Sequence, residues 1–513
     1  MRVLHVAAEA FPAVKTGGLA DVVSALPAAM SALGTESTLL LPGYPAVLDS
    51  GRSWHALAQW GPALGAAKVT LLRGEVPGID LPVWAVDAPW FYRRSGGPYH
   101  TPQGEDWPDN AQRFALLGWV AAQITVDDGL GQNSSFDLVH AHDWHAALTC
   151  AYLALRQSDQ VPSVFTVHNL AYQGLFPYQD HALLGLPSQW MTPAGMEFHG
   201  RLSFMKAGLQ FANRITTVSP TYSREIASVD QGHGLDGVIR GRLPHVHGIL
   251  NGIDDQVWDP SQDRFIAKNY SALQLAGKVA CKEALCAEVG VPYDPQVPLL
   301  ACVSRLSSQK GIDLMLASLP DWIDDGVQVV VQGSGDTALE MALRHASARY
   351  PGRFVALVGY DEARAHRILA GSDALLVPSR FEPCGLTQMY AMRYGSIPVV
   401  RRTGGLADTV IDISDGLAQG QPGTGLCFEQ ATAKALTSSV RRLLALFKRP
   451  AQWQQVQQRG MAMDWSWRGP AQAYQALYEE TLRDPYGRLA GEDAEAGQVA
   501  TSSPAKAVAK APA

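Results

Sequence analysis

The stretch that decides the fold runs from Asp373 to Val410, DALLVPSRFEPCGLTQMYAMRYGSIPVVRRTGGLADTV. Its apolar run 374–377 reads as a buried strand, stopped by Pro378 and Ser379. Glu382, Pro383, Cys384, Gly385 and Leu386 then form a loop, and a helical pattern starts near Thr387. A carboxylate at the carboxyl end of a strand, beside a glycine-bearing turn and a helix start, is a common site layout in open α/β sheets. A second strand at 397–400 leads to Arg402-Thr-Gly-Gly-Leu-Ala-Asp408, and Lys15-Thr-Gly-Gly-Leu-Ala-Asp21 repeats those words near the start of the chain. Two loops of one chemistry, far apart in sequence, predict two similar halves facing one site.

Outward from this stretch the alternation continues. Strands at 299–303, 327–331 and 354–358 lead into Ser304-Arg305-Leu306 with Gln309-Lys310-Gly311, into Gly333-Ser-Gly335-Asp-Thr-Ala338, and into Gly359-Tyr360. The first half places strands at 3–7, 38–41, 136–140, 162–167 and 215–218. Strands alternating with helices predict parallel sheets covered by helices on both faces. Residues 43–109 read as irregular, with short strands at 69–72 and 83–86 and with Tyr99 and His100 in a Gly/Pro-rich loop. The turn signal Asn251-Gly252 marks a boundary. The expected units are 1–255, 256–462, a terminal helix 463–484 that docks back on the first unit, and a tail 485–513. Trp465, Trp467, Tyr474, Leu477 and Tyr478 make that helix aromatic-rich, whereas the tail is too poor in apolar residues to fold and is expected to be disordered.

At 513 residues the chain exceeds what one core usually holds. Its 47% hydrophobic and 17% charged content is that of a globular protein, and a formal charge of −7 argues against a nucleic-acid binder. Six scattered cysteines without a CxxC pair fit a reducing compartment. No leader pattern and no apolar run near the roughly 20 residues of a membrane span is visible, so a cytoplasmic protein with no membrane partner is expected.

Two loops invite a ligand reading. Strand, Lys15-Thr16-Gly17-Gly18 loop and helix form a layout in which glycines let the backbone approach an anion and helix N–H groups point at it. A plain tight turn fits the glycines as well; Lys15 and the echo at Arg402 favour the anion. His140-Ala-His142-Asp143-Trp144-His145 looks metal-binding at first, but the dinuclear pattern HxHxDH needs Asp where Trp144 stands. The chain has no Asp-x-Asp or HExxH either, so no metal is expected, and the segment reads as a polar loop lining a cleft. His168 stands at the end of another strand.

Together, Lys15–Asp21, Val167-His-Asn-Leu-Ala-Tyr-Gln-Gly174, the Arg305…Lys310 loop, Glu382–Leu386 and Arg402–Asp408 resemble the motifs of bacterial glycogen synthases and plant starch synthases, in order, from residue 1 to about 480. The resemblance implies the GT-B fold, two Rossmann-like doubly wound domains facing a deep cleft. It also implies transfer of glucose from ADP-glucose to the non-reducing 4-OH of an α-1,4-glucan, glycogen, with retention and without a cofactor. It makes Glu382 the essential carboxylate near the donor glucose and lets His168 hydrogen-bond that sugar. It brings Lys15, Gly17 and Gly18 to the diphosphate from the opposite domain. Asp21, Asp143 and Asn251 are expected to meet sugar hydroxyls, Tyr99 to belong to the substrate site, and Tyr360 to stack on adenine. The turn Cys384, Gly385, Leu386, Thr387 would lie against the substrate, with backbone N–H groups of 385–387 offered to phosphate and the Cys384 thiol read as packing.

The residues make chemical sense of this. Negative charge grows on a nucleoside diphosphate as it leaves, and Arg305 and Lys310 are suited to meet it, Arg bidentately and Lys as a point charge. Many retaining glycosyltransferases carry a second Glu eight positions after the first; Tyr390 stands there, as in the starch and glycogen synthase group. With no carboxylate pair set by sequence, front-face attack is expected, the departing phosphate oxygen taking the acceptor proton. Other readings are a UDP-glucose-using or other GT-B transferase and an inactive glucan-binding protein, though the latter would be free to lose the charges at Lys15, Arg305, Lys310 and Glu382. A dinucleotide oxidoreductase is disfavoured because its glycine fingerprint, at 333–338, follows a second strand rather than a first.

Overall fold

The computed structural model describes residues 1–126, 130, 135–156, 161–414 and 422–485. The tail from 486 onward lies outside the described residues. The first half carries strands β1 (Arg2–Val6), β2 (Glu36–Pro42), β3 (Arg52–Trp60), β4 (Val69–Val76), β5 (Ile79–Asp87), β6 (Leu138–His142) and β7 (Ser163–Val167). Three short strands follow, β8 (Leu175–Pro177), β9 (Glu197–Phe198) and β10 (Arg201–Ser203), then β11 (Arg214–Thr217) and β12 (Val246–Gly248). Nine of these form one sheet in the order β12-β11-β7-β6-β1-β2-β5-β4-β3. The second half adds β13 (Leu299–Val303), β14 (Gln328–Gly333), β15 (Phe354–Val358), β16 (Ala374–Val377), β17 (Ile397–Arg401) and β18 (Leu426–Phe428). They form a parallel sheet in the order β15-β14-β13-β16-β17-β18.

Both sheets are doubly covered, and the side-chain period of two shows it. Along β13, Leu299, Ala301 and Val303 enter one core while Leu300 and Cys302 enter the other. A strand buried on both faces reads as an unbroken apolar run. Helices start where their capping residues allow. Asp336 caps the helix Thr337–Arg349, Asp361 caps Glu362–Gly371, and Ser219 caps Pro220–Glu225 with Pro at its first position.

Two expectations are corrected. Residues 43–109 are not largely irregular: β3, β4 and β5 form an antiparallel meander at one edge, so the first sheet is mixed rather than wholly parallel. The edge strand RSWHALAQW is largely exposed and built from weak strand formers, so its sequence carries little period-two signal. The His140–His145 segment is not a polar loop. β6 runs through His142, and both His140 and His142 are fully buried.

The helix Arg468–Arg483 follows the second half yet covers the first sheet. Its Ala471, Tyr474, Leu477 and Tyr478 pack against Val3, Leu138 and Val164 of the strands and against Val22, Leu26 and Met30 of the helix Gly18–Ser31. Among the described residues, no helix is long and apolar enough to cross a membrane. Truncating Leu477 to Ala empties space in this cluster, and losses of about 2–5 kcal/mol are usual for buried leucines. Urea unfolding of Leu477→Ala should show a clearly lower midpoint; an unchanged midpoint would mean that the helix does not hold the first sheet.

Candidate active site

The loops leaving the carboxyl ends of both sheets meet. β16 ends at Val377, and the next turn carries Glu382, a residue only 5% exposed. Its Oε2 accepts from Lys310 Nζ at 2.6 Å and from Ser379 Oγ at 2.8 Å. Lys310 stands on the short turn Ser308–Lys310 after the neighbouring strand β13, so adjacency of β13 and β16 brings cation and carboxylate together. Gly311 closes that turn at φ +68°; a Cβ there would stand 2.2 Å from the Pro378 carbonyl oxygen. Arg305, on the same loop, donates to Tyr172 Oη at 3.2 Å, across from the first half.

The first half supplies the opposing wall. Lys15 Nζ lies 2.9 Å from Asp21 and 3.6 Å from Glu362 of the second half. Burial pushes the Asp21 carboxyl up, while Lys15 pulls it down. The backbone at Gly17 begins the helix Gly18–Ser31, and a Cβ on Gly18 would face Leu386 at 3.8 Å. Tyr360 is 57% exposed and donates to Glu362 at 3.1 Å. Asn251 is buried, with its Oδ1 unpartnered, and touches the Cys384 thiol, which burial pushes up to about 12. That thiol stays protonated. Gly385 at φ +71° turns the chain into the helix Thr387–Arg393, to which Leu386 is the cap.

Asp143 adopts φ +61°, and its Oδ1 is buried without a partner. Burial raises its carboxyl to about 8, against the pull of N–H groups of Trp144, Asn169 and His168. Tyr99 stacks on His145 with ring centroids 4.5 Å apart and donates its hydroxyl to Glu9. Glu9 also accepts from the Thr16 amide and hydroxyl, each at 2.5 Å, so it ties the Tyr99 loop to the Lys15 loop. His168 Nε2 lies 3.1 Å from His142 Nδ1.

The second Thr-Gly-Gly-Leu-Ala-Asp loop does not face the site as its twin does. Glu225 of the first half accepts from Thr403 Oγ1 at 2.9 Å and from the Gly404 amide at 3.0 Å, occupying that helix start. Asp408 in turn accepts from the Thr221 amide at 2.8 Å and its hydroxyl at 2.6 Å. Each half thus caps a helix of the other. Gly404 sits at φ +46°, where a Cβ would stand 1.9 Å from the Glu382 carbonyl oxygen, so this loop buttresses the Glu382 turn.

Sequence reading misses Glu9, Glu362, Tyr172, Glu225 and the buried His5, and places His142 in a cleft loop rather than in a buried strand. Single carboxylates outside a motif leave no signal. The histidines do leave one, as polar residues at alternate positions in apolar strands. His5, His140 and His142 are the one group of three such residues, among those described, whose ligand atoms all lie within 4.8 Å. Both nitrogens of His140 already bond, to Tyr478 Oη at 2.6 Å and Thr166 Oγ1 at 2.5 Å.

Two doubly wound domains whose carboxyl-end loops meet beside one buried carboxylate, held by Lys310 and with Lys15 on the facing wall, define a GT-B glycosyltransferase. Residues 2–241 match the starch synthase catalytic domain family and residues 292–459 match glycosyl transferases group 1. The chain is 48% identical to the glycogen synthase of Leptothrix cholodnii, with 94% of this chain and 99% of that protein covered. It is 44% identical to the glycogen synthase of Francisella tularensis subsp. novicida over 94% of this chain and 100% of that one. Its structure is similar to the catalytic domain of Arabidopsis thaliana starch synthase IV bound to ADP and acarbose, with a TM-score of 0.84, 32% identity, and 94% and 99% of the two chains covered. Sucrose-phosphate synthase from Thermosynechococcus elongatus, at TM-score 0.58 and 16% identity, shares the fold. The chain belongs to the glycogen and starch synthase family.

Burial holds His5 and His168 at about 3 and lowers His140, His142 and His145 as well. Such groups stay neutral in the fold while the unfolded chain takes up protons near 6.5. Their contribution is therefore present above about pH 6.5 and lost as pH falls toward the folded values. Urea unfolding at descending pH should show stability falling below pH 6.5, by up to about 1.4 kcal/mol per pH unit for each such histidine. A flat profile between pH 6.5 and 5 would contradict this assignment.

Proposed function

We propose that this chain is a glycogen synthase that transfers glucose from ADP-glucose to the non-reducing 4-OH of an α-1,4-glucan, with retention and with release of ADP. The observation that carries this reading is Glu382, buried and fixed by Lys310 and Ser379 at the meeting of the two sheets. Sugar–phosphate cleavage leaves positive character on the sugar and negative charge on the diphosphate. Glu382 supports the first. Arg305 and Lys310 meet the second from one domain, and Lys15 from the other. Preorganised donors of this kind are worth about 3 kcal/mol each. No cofactor is assigned, because these side chains supply the charge that a bound cation would otherwise bring.

His168, Asp21, Asp143 and Asn251 are assigned to sugar hydroxyls, and the unpartnered carbonyl of Asn251 and Oδ1 of Asp143 support this. Tyr360, exposed at the cleft mouth, is assigned to adenine, and Gly17, Gly18 and the turn Cys384–Thr387 to the diphosphate. Tyr99 shapes the wall through Glu9. Tyr390 stands where a second carboxylate would, which favours an electrostatic role for Glu382 and front-face attack over a double displacement. The ADP-bound starch synthase neighbour supports ADP-glucose over UDP-glucose as donor.

Transfer from radiolabelled ADP-glucose and UDP-glucose to glycogen, with EDTA present, tests the reading. ADP-glucose should serve as donor despite EDTA, and Glu382→Ala, Arg305→Ala and Lys310→Ala should each lower kcat about 100-fold or more. Transfer from UDP-glucose alone would move the donor assignment. Loss of transfer with glycogen still bound would favour an inactive glucan-binding protein.

A further inference from the structure

Strand pleating puts His5 of β1, His140 and His142 of β6, and Thr166 of β7 on one face of the first sheet. Their neighbours Val3, Leu138 and Val164 face the same way, under the helix Arg468–Arg483. His5 and His140 are register partners. Within this layer three imidazoles form a single file that ends at the active site. His5 Nδ1 lies 3.2 Å from His142 Nε2, and His142 Nδ1 lies 3.1 Å from His168 Nε2. The far end, His5 Nε2, is buried with no partner. His140 stands beside the file with its ring 4.0 Å from that of His142, its own nitrogens bonded to Tyr478 and Thr166.

A neutral imidazole has one N–H and one bare nitrogen, so the file has two self-consistent states. In one, His168 donates to His142, His142 donates to His5, and the buried His5 Nε2–H is orphaned. In the other, His5 donates to His142, His142 donates to His168, and the unpartnered atom is a bare nitrogen. Both make the same two bonds. They differ in what is left unsatisfied, and an orphaned buried N–H is the rarer fault. Burial keeps all three rings neutral, which excludes a state with two N–H groups on one ring.

We propose that His5 and His142 are positioning residues that hold His168 in its Nδ1–H tautomer, through the file His5 Nδ1–His142–His168 Nε2. His168 then has Nδ1–H as its one donor, and a sugar oxygen that meets it must accept. This last step rests on the assignment of His168 to the donor sugar; the tautomer itself does not.

The test uses the full-length protein with ¹⁵N-labelled histidine and three variants. Long-range ¹⁵N–¹H spectra should show His168 as the Nδ1–H tautomer in wild type. His142→Leu removes the bond to His168; the spectrum should shift toward the Nε2–H form, and kcat should fall about tenfold with little change in the KM for ADP-glucose. His142→Asn places an amide donor where ring Nδ1 stood; it should keep the Nδ1–H form and recover kcat to within about threefold of wild type. His5→Leu should leave His142 free to turn over and give a mixed spectrum. An Nε2–H form of His168 in wild type would overturn the proposal. So would equal losses in His142→Leu and His142→Asn with an unchanged tautomer, which would mark a packing role alone. One equivalent of zinc in the purified protein, with signals of His5 and His142 that change on chelation, would also overturn it. Absence of glucose transfer in wild type, with the Nδ1–H form present, would reject the function and leave the file intact.

Discussion

Lys310 Nζ lies 2.6 Å from Glu382 Oε2, where the glutamate is 5% exposed, and this contact constrains much of the surrounding structure. A carboxylate so placed is costly unless a cation and further donors hold it. The fold meets that need by setting β13 and β16 side by side, so that the first strand's loop delivers Lys310 and the second's delivers Glu382. The turn itself is braced from behind by the Gly404–Gly405 backbone, which leaves no room for a Cβ. It is pinned from the first half by Ser219, whose hydroxyl donates to the Pro383 carbonyl at 2.7 Å. Position of the carboxylate is therefore coupled to the way the two halves meet.

That meeting is polar and reciprocal. Glu225 and Asp408 each occupy a helix start belonging to the opposite half. Helix starts carry partial positive charge and unbonded N–H groups, so a carboxylate there is well placed. Glu9, Lys15 and Glu362 form a second set of ties at the mouth, linking the Tyr99 loop, the first glycine loop and the start of the helix Glu362–Gly371. Behind the wall lies the histidine layer, and the last helix closes it with Tyr474 and Tyr478. The chain's return to its first domain thus seals a buried polar network whose open end is His168.

Much of this was legible in sequence, and the reasons are local. β13, β15 and β16 read correctly because apolar runs bounded by Gly, Ser or Pro leave few alternatives. The helix after Ser219-Pro220 was marked by its cap. Glu382, Lys310 and Arg305 could be nominated because each follows a strand. The edge strand β3 leaves little signal because residues of both parities are exposed along it, which removes the apolar period, and the meander it opens makes the first sheet mixed. The two Gly-Gly-Leu-Ala-Asp loops looked equivalent, yet only tertiary contact shows that Glu225 fills the second. The sequence ends strand β6 at His140 and leaves His142 in a polar loop, because two histidines in five positions look polar. Only the pairing of β6 with β1 and the cover of the last helix reveal them as buried.

Proton NMR of the reaction with ADP-glucose and a short maltooligosaccharide reports donor, linkage and stereochemistry in one sample. If Glu382 carries retaining transfer from ADP-glucose, ADP and a new α-1,4-linked glucose form in equal amounts with wild type, and about 100-fold more slowly or not at all with Glu382→Ala. A β-linked product, or transfer by Glu382→Ala at close to the wild-type rate, would contradict it.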